Sequence, residues 1–181
     1  MGSTRITAVP MWYRGTLFRS TLEADWAATF DAWNWYWQYE PVAISIGDQA
    51  YRPDFYLPNF DVWCEVKGPH NQRMDKPVTL ARDLEVDDPM VIRKPLVVIL
   101  RPPGPAGGAT WEAPLPGMDI VLARCPRCDW LTFVDTDGVW VCRQCWYGQG
   151  DQDKGSHLLH NCDPSGVVEF RRAPRITRRG A

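Results

Sequence analysis

Arg52-Pro53-Asp54-Phe55 and, after a Pro58-Asn59 turn, Glu65-Val66-Lys67-Gly68 are the stretch on which the fold of this 181-residue chain turns. Side chains alternate along a strand, so Glu65 and Lys67 point to one face while Cys64 and Val66 point to the other. The aromatic and β-branched runs 51–57 and 60–66, parted by the Pro-Asn turn, read as neighbouring antiparallel strands. Cross-strand Cβ atoms in such a pair lie about 4.5–5.5 Å apart, or about 7–8 Å on the diagonal, so Asp54 and Glu65 could share one divalent cation. Clustered carboxylates suit Mg²⁺ or Mn²⁺, and such an ion lowers the pKa of its water and polarises a phosphoryl oxygen. Lys67 beside it could orient the attacking water or offset charge developing on phosphate. These residues suit phosphodiester hydrolysis, with Glu23 and Glu40 as candidates for a third carboxylate. The plain alternative is a hairpin with charged residues on its wet face, because Glu-x-Lys is common.

Working outward, Ser20-Thr21-Leu22-Glu23 has the form of a capping box, and Leu22, Trp26, Phe30 and Trp33 recur at steps of four and three. An amphipathic helix is predicted over 20–34. The runs 37–42, 44–46, 51–57 and 60–66 then predict a β-meander, with turns at Gly47-Asp48 and Pro58-Asn59. A second helix with Pro77 in its first turn runs to about residue 86, and 95–100 makes a buried strand. Cys64 reads as a small buried apolar residue.

In these pieces the chain resembles the PD-(D/E)XK nuclease superfamily, the restriction-endonuclease-like fold. The match lies in Leu22-Glu23-Ala24-Asp25-Trp26, Tyr39-Glu40-Pro41, Arg52-Pro53-Asp54-Phe55 and Glu65-Val66-Lys67-Gly68, in order across residues 18–100. The resemblance implies an α/β protein with an αβββαβ core and a mixed sheet, and metal-dependent DNA cleavage. It implies Asp54 and Glu65 as Mg²⁺ or Mn²⁺ ligands, with the Val66 carbonyl beside them and Glu40 as a further candidate. It also implies Lys67 as the catalytic lysine and Glu23 as an auxiliary acid. The short core with its helix-1 Glu is similar to that of the branch-cutting and Holliday-junction-resolving members. No residues match the cysteine cluster of the iron–sulfur exonuclease branch.

Cys125-Pro-Arg-Cys128 and Cys142-Arg-Gln-Cys145 are two Cys-x-x-Cys knuckles separated by 13 residues, with a hairpin expected around Asp135-Thr136-Asp137-Gly138. This resembles a zinc ribbon, whose four thiolates leave no open position for water, so Zn²⁺ is expected to be structural. Arg127 and Arg143, with Trp130 and Trp146, are candidates for DNA contact from the ribbon. His157, His160 and Cys162 offer three further ligands at unremarkable spacing. Trp33, Trp35 and Trp37 could stack on unpaired bases, or could belong to an aromatic core or dimer patch.

The Pro/Gly-rich stretch 102–110 is expected to divide a nuclease core (1–101) from the ribbon region (111–147). A segment with a short helix around 151–160 and a strand at 167–170 follows, then a basic tail. Residues 171–181 hold Arg171, Arg172, Arg175, Arg178 and Arg179 and no acid, leaving 15 basic against 22 acidic residues before them. An acidic body with an arginine tail suits nonspecific phosphate contact. The 45% apolar fraction excludes wholesale disorder, and the longest apolar run is far short of the ~20 residues that cross a bilayer. The expectation is a cytoplasmic, phage or bacterial DNA endonuclease with no membrane partner, its paired cysteines serving metal knuckles and not disulfides. The rival class is a non-catalytic DNA-binding or protein-recruiting module with the same fold.

Overall fold

Helix α1, Thr21–Ala32, starts where its capping box requires. Ser20 accepts the Glu23 N–H at 3.2 Å through Oγ and donates its hydroxyl to Glu23 Oε1 at 2.8 Å. The helix stops two residues short of its predicted end, in a Schellman turn. The Trp35 N–H reaches the Phe30 carbonyl at 2.8 Å, the Asn34 N–H reaches that of Asp31 at 3.1 Å, and Asn34 takes φ 59°. Trp35 stacks on Phe30 as the apolar contact of that motif.

The computed structural model describes residues 8–71, 73–85, 94–135, 142–147, 159–160 and 167–175. A hairpin of β1 (Met11–Tyr13) and β2 (Thr16–Phe18), not anticipated from the sequence, precedes the helix. The expected meander divides into two. β3 (Gln38–Tyr39) joins a five-stranded sheet, whereas β4 (Ile44–Ile46) and β5 (Gln49–Tyr51) fold back on each other around Gly47, whose φ of 52° suits the two-residue turn. The sheet order is β3, β6 (Phe55–Leu57), β7 (Val62–Val66), β8 (Leu96–Arg101), β9 (Thr110–Glu112). β7 and β8 run parallel, with α2 (Asp75–Asp83) between them in the chain, and the other neighbours are antiparallel. The result is a mixed α/β architecture with a mixed sheet.

Strand alternation sorts the two faces. Val62, Cys64, Val98 and Leu100 pack with Ala24, Trp26, Ala27 and Phe30 of α1 in the main core. Trp63 and Val97 face the other way, against Leu80 and Ala81 of α2 and Ile46 and Tyr51 of the β4–β5 hairpin. Trp33 and Trp35 lie buried among Phe30, Phe60 and Phe133, which closes them to base stacking. Trp37 is partly buried, and its indole N–H donates to Asp31 Oδ1 at 3.1 Å.

α1 departs from amphipathicity, because every residue from Glu23 to Phe30 is buried. Its second side is covered by residues 167–175, which form no strand but strap the helix with hydrogen bonds. Thr29 Oγ1 accepts the Arg171 N–H at 2.9 Å, and Asp25 accepts the Ala173 N–H at 2.9 Å and the Arg175 guanidinium at 2.8 Å.

The Pro/Gly-rich stretch does not part the chain into separate cores. β9 follows it directly and pairs with β8, and Ile120, Leu122, Leu131 and Phe133 share the core of α1. A second sheet has the order β11 (Leu131–Asp135), β10 (Ile120–Arg124), β12 (Leu159–His160). β11 thus pairs with β10 around the first knuckle. The turn of the hairpin expected around 135–138 and the arm that would follow it lie outside the described residues, as do most of the helix expected at 151–160, His157 and Cys162. Its last two residues, 159 and 160, form β12 instead. Among the described residues no helix is long and apolar enough to cross a membrane.

Candidate functional site

The register Phe55↔Cys64, continued by one residue, sets Asp54 opposite Glu65 at the end of the β6–β7 pair. Asp54 is buried, and both carboxylate oxygens are engaged: Oδ2 accepts the Val66 N–H at 2.7 Å and Oδ1 accepts the Arg19 guanidinium at 2.5 Å. Burial first, then the neighbouring Glu65 and Glu23 carboxylates, push the Asp54 carboxyl up to about 8, against the opposing pull of the Val66 N–H and Arg19. Of Val66, the N–H rather than the carbonyl is the group that meets Asp54.

Glu65 and Lys67 share one face, as alternation requires. Lys67 is buried, and its Nζ donates to Glu65 Oε1 at 2.8 Å, while the Tyr51 hydroxyl donates to Oε2 at 2.7 Å. Burial and the Glu65 charge hold the Tyr51 phenol well above its ordinary range, so it remains a donor. Glu23 is likewise held from two sides: Ser20 donates to Oε1, and the Tyr39 hydroxyl and the Arg19 N–H donate to Oε2 at 2.6 and 3.1 Å. Glu40 sits on the rim with φ 42°, a left-handed conformation uncommon for a non-glycine residue. It accepts the Arg19 Nε at 2.8 Å, with Arg52 at 3.9 Å.

Arg19, Tyr39 and Tyr51 are site residues that sequence reasoning missed. Arg19 stands just before the capping box, with no pattern of its own, and the two tyrosines read as ordinary strand aromatics. Burial and the neighbouring Glu65 and Glu23 carboxylates make Asp54 costly to ionise, a cost that a hard cation would relieve. Among the described residues, however, no trio of carboxylates brings its oxygens within 4.8 Å of one another; only the four cysteines reach that density.

The cysteine group is assembled from two knuckles with the same bonding. The Asp129 N–H reaches the Cys125 carbonyl at 2.8 Å and the Cys125 N–H the Trp130 carbonyl at 2.9 Å; Trp146, Cys142 and Tyr147 repeat this at 3.0 and 2.9 Å. The residue after each knuckle, Asp129 and Trp146, takes φ 57° and 62°. Cys125 and Cys145 sulfurs lie 3.7 Å apart, and those of Cys128 and Cys142 lie 3.6 Å apart. A tetrahedron with Zn–S bonds of ~2.3 Å requires sulfurs about 3.8 Å apart, so the four thiols could hold a metal such as zinc.

Arg143 departs from its expected role in DNA contact. Its guanidinium is buried and donates to the carbonyls of Phe133, Phe60 and Lys94 at 3.1, 3.0 and 3.0 Å, tying the second knuckle to the turns that lead into β7 and β8. Arg127 and Arg172 are exposed, Arg171 pairs with Glu169, and Arg175 is committed to Asp25. Arg178 and Arg179 lie outside the described residues. Trp130 packs toward Phe60, and Trp146 is exposed. No known protein family, curated protein or solved structure matches the chain.

Proposed function

We propose that this chain is a metal-dependent DNA endonuclease of the restriction-endonuclease-like fold, acting on branched or otherwise structured DNA. The observation that carries the reading is the pairing of Asp54 with Glu65 across β6 and β7, with Lys67 hydrogen-bonded to Glu65 from the same face. The order α1, β6, β7, α2, β8 around a mixed sheet agrees with that fold class.

Asp54 and Glu65 would hold Mg²⁺ or Mn²⁺, with Glu23 and Glu40 as auxiliary acids. The bound cation supplies Lewis-acid polarisation of the phosphoryl oxygen and acidifies water. Tyr51 and the Val66 N–H fix the two carboxylates, so that their spacing survives the approach of a charged substrate. Lys67, ion-paired with Glu65, would offset charge gathering on the phosphate. The cysteine group, with Zn²⁺ bound, would serve as a scaffold.

The second reading, a non-catalytic DNA-binding or protein-recruiting module, is favoured by one specific observation: Arg19 and Lys67 already pair with the two central carboxylates. The discriminating experiment incubates the protein with linear duplex, single-stranded, flap and four-way DNA in Mg²⁺, Mn²⁺ or EDTA. Cleavage that needs the divalent ion supports the enzyme, and tight binding without cleavage of any substrate supports the module.

A further inference from the structure

Arg19 brings a second cation to the carboxylates, and its geometry differs from that of Lys67. Lys67 is buried and bonded to Glu65, so it has little room to leave. The Arg19 side chain is 62% exposed, yet its guanidinium spans two acids, Nη2 on Asp54 Oδ1 at 2.5 Å and Nε on Glu40 Oε1 at 2.8 Å. Its backbone is fixed independently, because the Arg19 N–H is held by Glu23 Oε2 and the Tyr39 hydroxyl, each at 3.1 Å. The main chain is therefore anchored at the start of α1 while the guanidinium is free to swing outward.

Asp54 Oδ2 is committed to the Val66 N–H, which leaves Oδ1 as the oxygen through which Asp54 would ligate a metal. An oxygen that already holds a guanidinium nitrogen can take a metal ion as well only by bringing two positive charges into contact. We infer that Arg19 is an exchangeable counter-ion of the acidic site: it and a divalent cation compete for Asp54 and Glu40, and cation binding turns the guanidinium out toward the substrate side. The inference rests on the proposed reading of Asp54 and Glu65 as a divalent-metal site. It adds that metal affinity is held down by the chain's own arginine, and that the displaced guanidinium becomes a phosphate contact.

The test measures Mn²⁺ binding by calorimetry at pH 8 for the intact chain and for Arg19→Gln and Arg19→Lys, with the cysteine group kept zinc-loaded. Removing a partly exposed, charge-assisted pair should tighten Mn²⁺ binding roughly three- to tenfold in Arg19→Gln, and Arg19→Lys should fall between that variant and wild type. In parallel, the side-chain Nε–H resonance of Arg19 is followed in ¹⁵N-labelled wild type. It should be protected from solvent exchange without Mg²⁺ and lose that protection as Mg²⁺ saturates the site.

Equal Mn²⁺ affinity in all three proteins, weaker binding in Arg19→Gln, or an Arg19 resonance indifferent to Mg²⁺ would overturn the counter-ion role and leave the metal site standing. Absence of Mn²⁺ binding in both wild type and Arg19→Gln would instead overturn the metal reading itself. Circular dichroism on each variant separates these outcomes from loss of fold, and Arg19→Lys, which keeps the charge and the backbone anchor, serves as the conservative check.

Discussion

At the scale of single residues, the acidic site assigns separable roles. Asp54→Ala and Glu65→Ala remove oxygens that would hold the cation, so each should lower cleavage by roughly a thousandfold or more while DNA binding persists or tightens. Lys67→Ala should stop turnover equally while Mn²⁺ binding survives, and Glu23→Ala should be milder or should depend on which metal is supplied. Wild-type turnover in Asp54→Ala or Glu65→Ala refutes the assignment.

Asp54 also predicts a pH dependence. Its carboxyl titrates near 3.9 in the unfolded chain and is pushed up to about 8 in the fold, so between those values the folded state binds more protons than the unfolded one. Stability of the zinc-loaded protein without Mg²⁺ or Mn²⁺ should therefore fall as pH rises from about 4 to 8, by about 1 kcal/mol or more, and Asp54→Asn should flatten the fall. Urea unfolding at pH 5 and pH 8 measures both. A wild type that gains stability over this range, with Asp54→Asn following it in parallel, contradicts the assignment.

At the scale of elements, what was legible in the sequence is what is local. The Ser20 capping box, the alternation that puts Glu65 beside Lys67, and the spacing of the two cysteine knuckles are each encoded within a few residues. What the sequence hid depends on distant partners. Arg19 carries no motif, yet reaches Asp54, 35 residues on. Arg143 looked like a surface cation because its three carbonyl acceptors come from Phe60, Lys94 and Phe133, none of them adjacent in the chain. The Pro/Gly stretch looked like a boundary because the partner of β9 is decided by sheet pairing and not by composition.

Two expectations belong to these elements. Freshly purified protein should contain about one Zn²⁺ per chain, and Cys125→Ser should destabilise the region around β10 and β11, since structural zinc contributes ~10–16 kcal/mol of apparent binding energy. Metal analysis yielding under half a zinc, or a brown iron–sulfur chromophore, sinks that assignment. Arg143→Met leaves the buried Phe60 and Phe133 carbonyls, and the partly buried one of Lys94, without their charged donor and should cost about 2–4 kcal/mol in chemical denaturation. A cost within experimental error would mean that the knuckle is not fastened to the sheet through this side chain.

At the scale of the whole molecule, the arginine-rich segment divides into two parts. Arg171 and Arg175 belong to the strap over α1, whereas Arg178 and Arg179 lie beyond it. Deleting 176–181 should lower the slope of log K against log salt for DNA binding by about 2 units, at roughly 0.9 for each phosphate that is no longer neutralised, with little change in Tm. Deleting 171–181 should lower Tm as well, because Asp25 would lose both the Ala173 N–H and the Arg175 guanidinium that meet it. Equal melting temperatures for the two truncations would deny the strap a structural part.

The strap closes over α1 from far along the chain: Arg171 and Ala173 lie 142 and 148 residues from the helix positions they bond. A ribosome therefore makes the helix well before its cover, so this stretch stays half-clothed while the intervening residues are added. A message broken off before the strap would yield a product whose first helix bares Asp25 and Thr29, a mark for proteolytic clearance. Glu23 of the acidic site sits on that same helix, so whatever opens the helix to a protease would open the site with it.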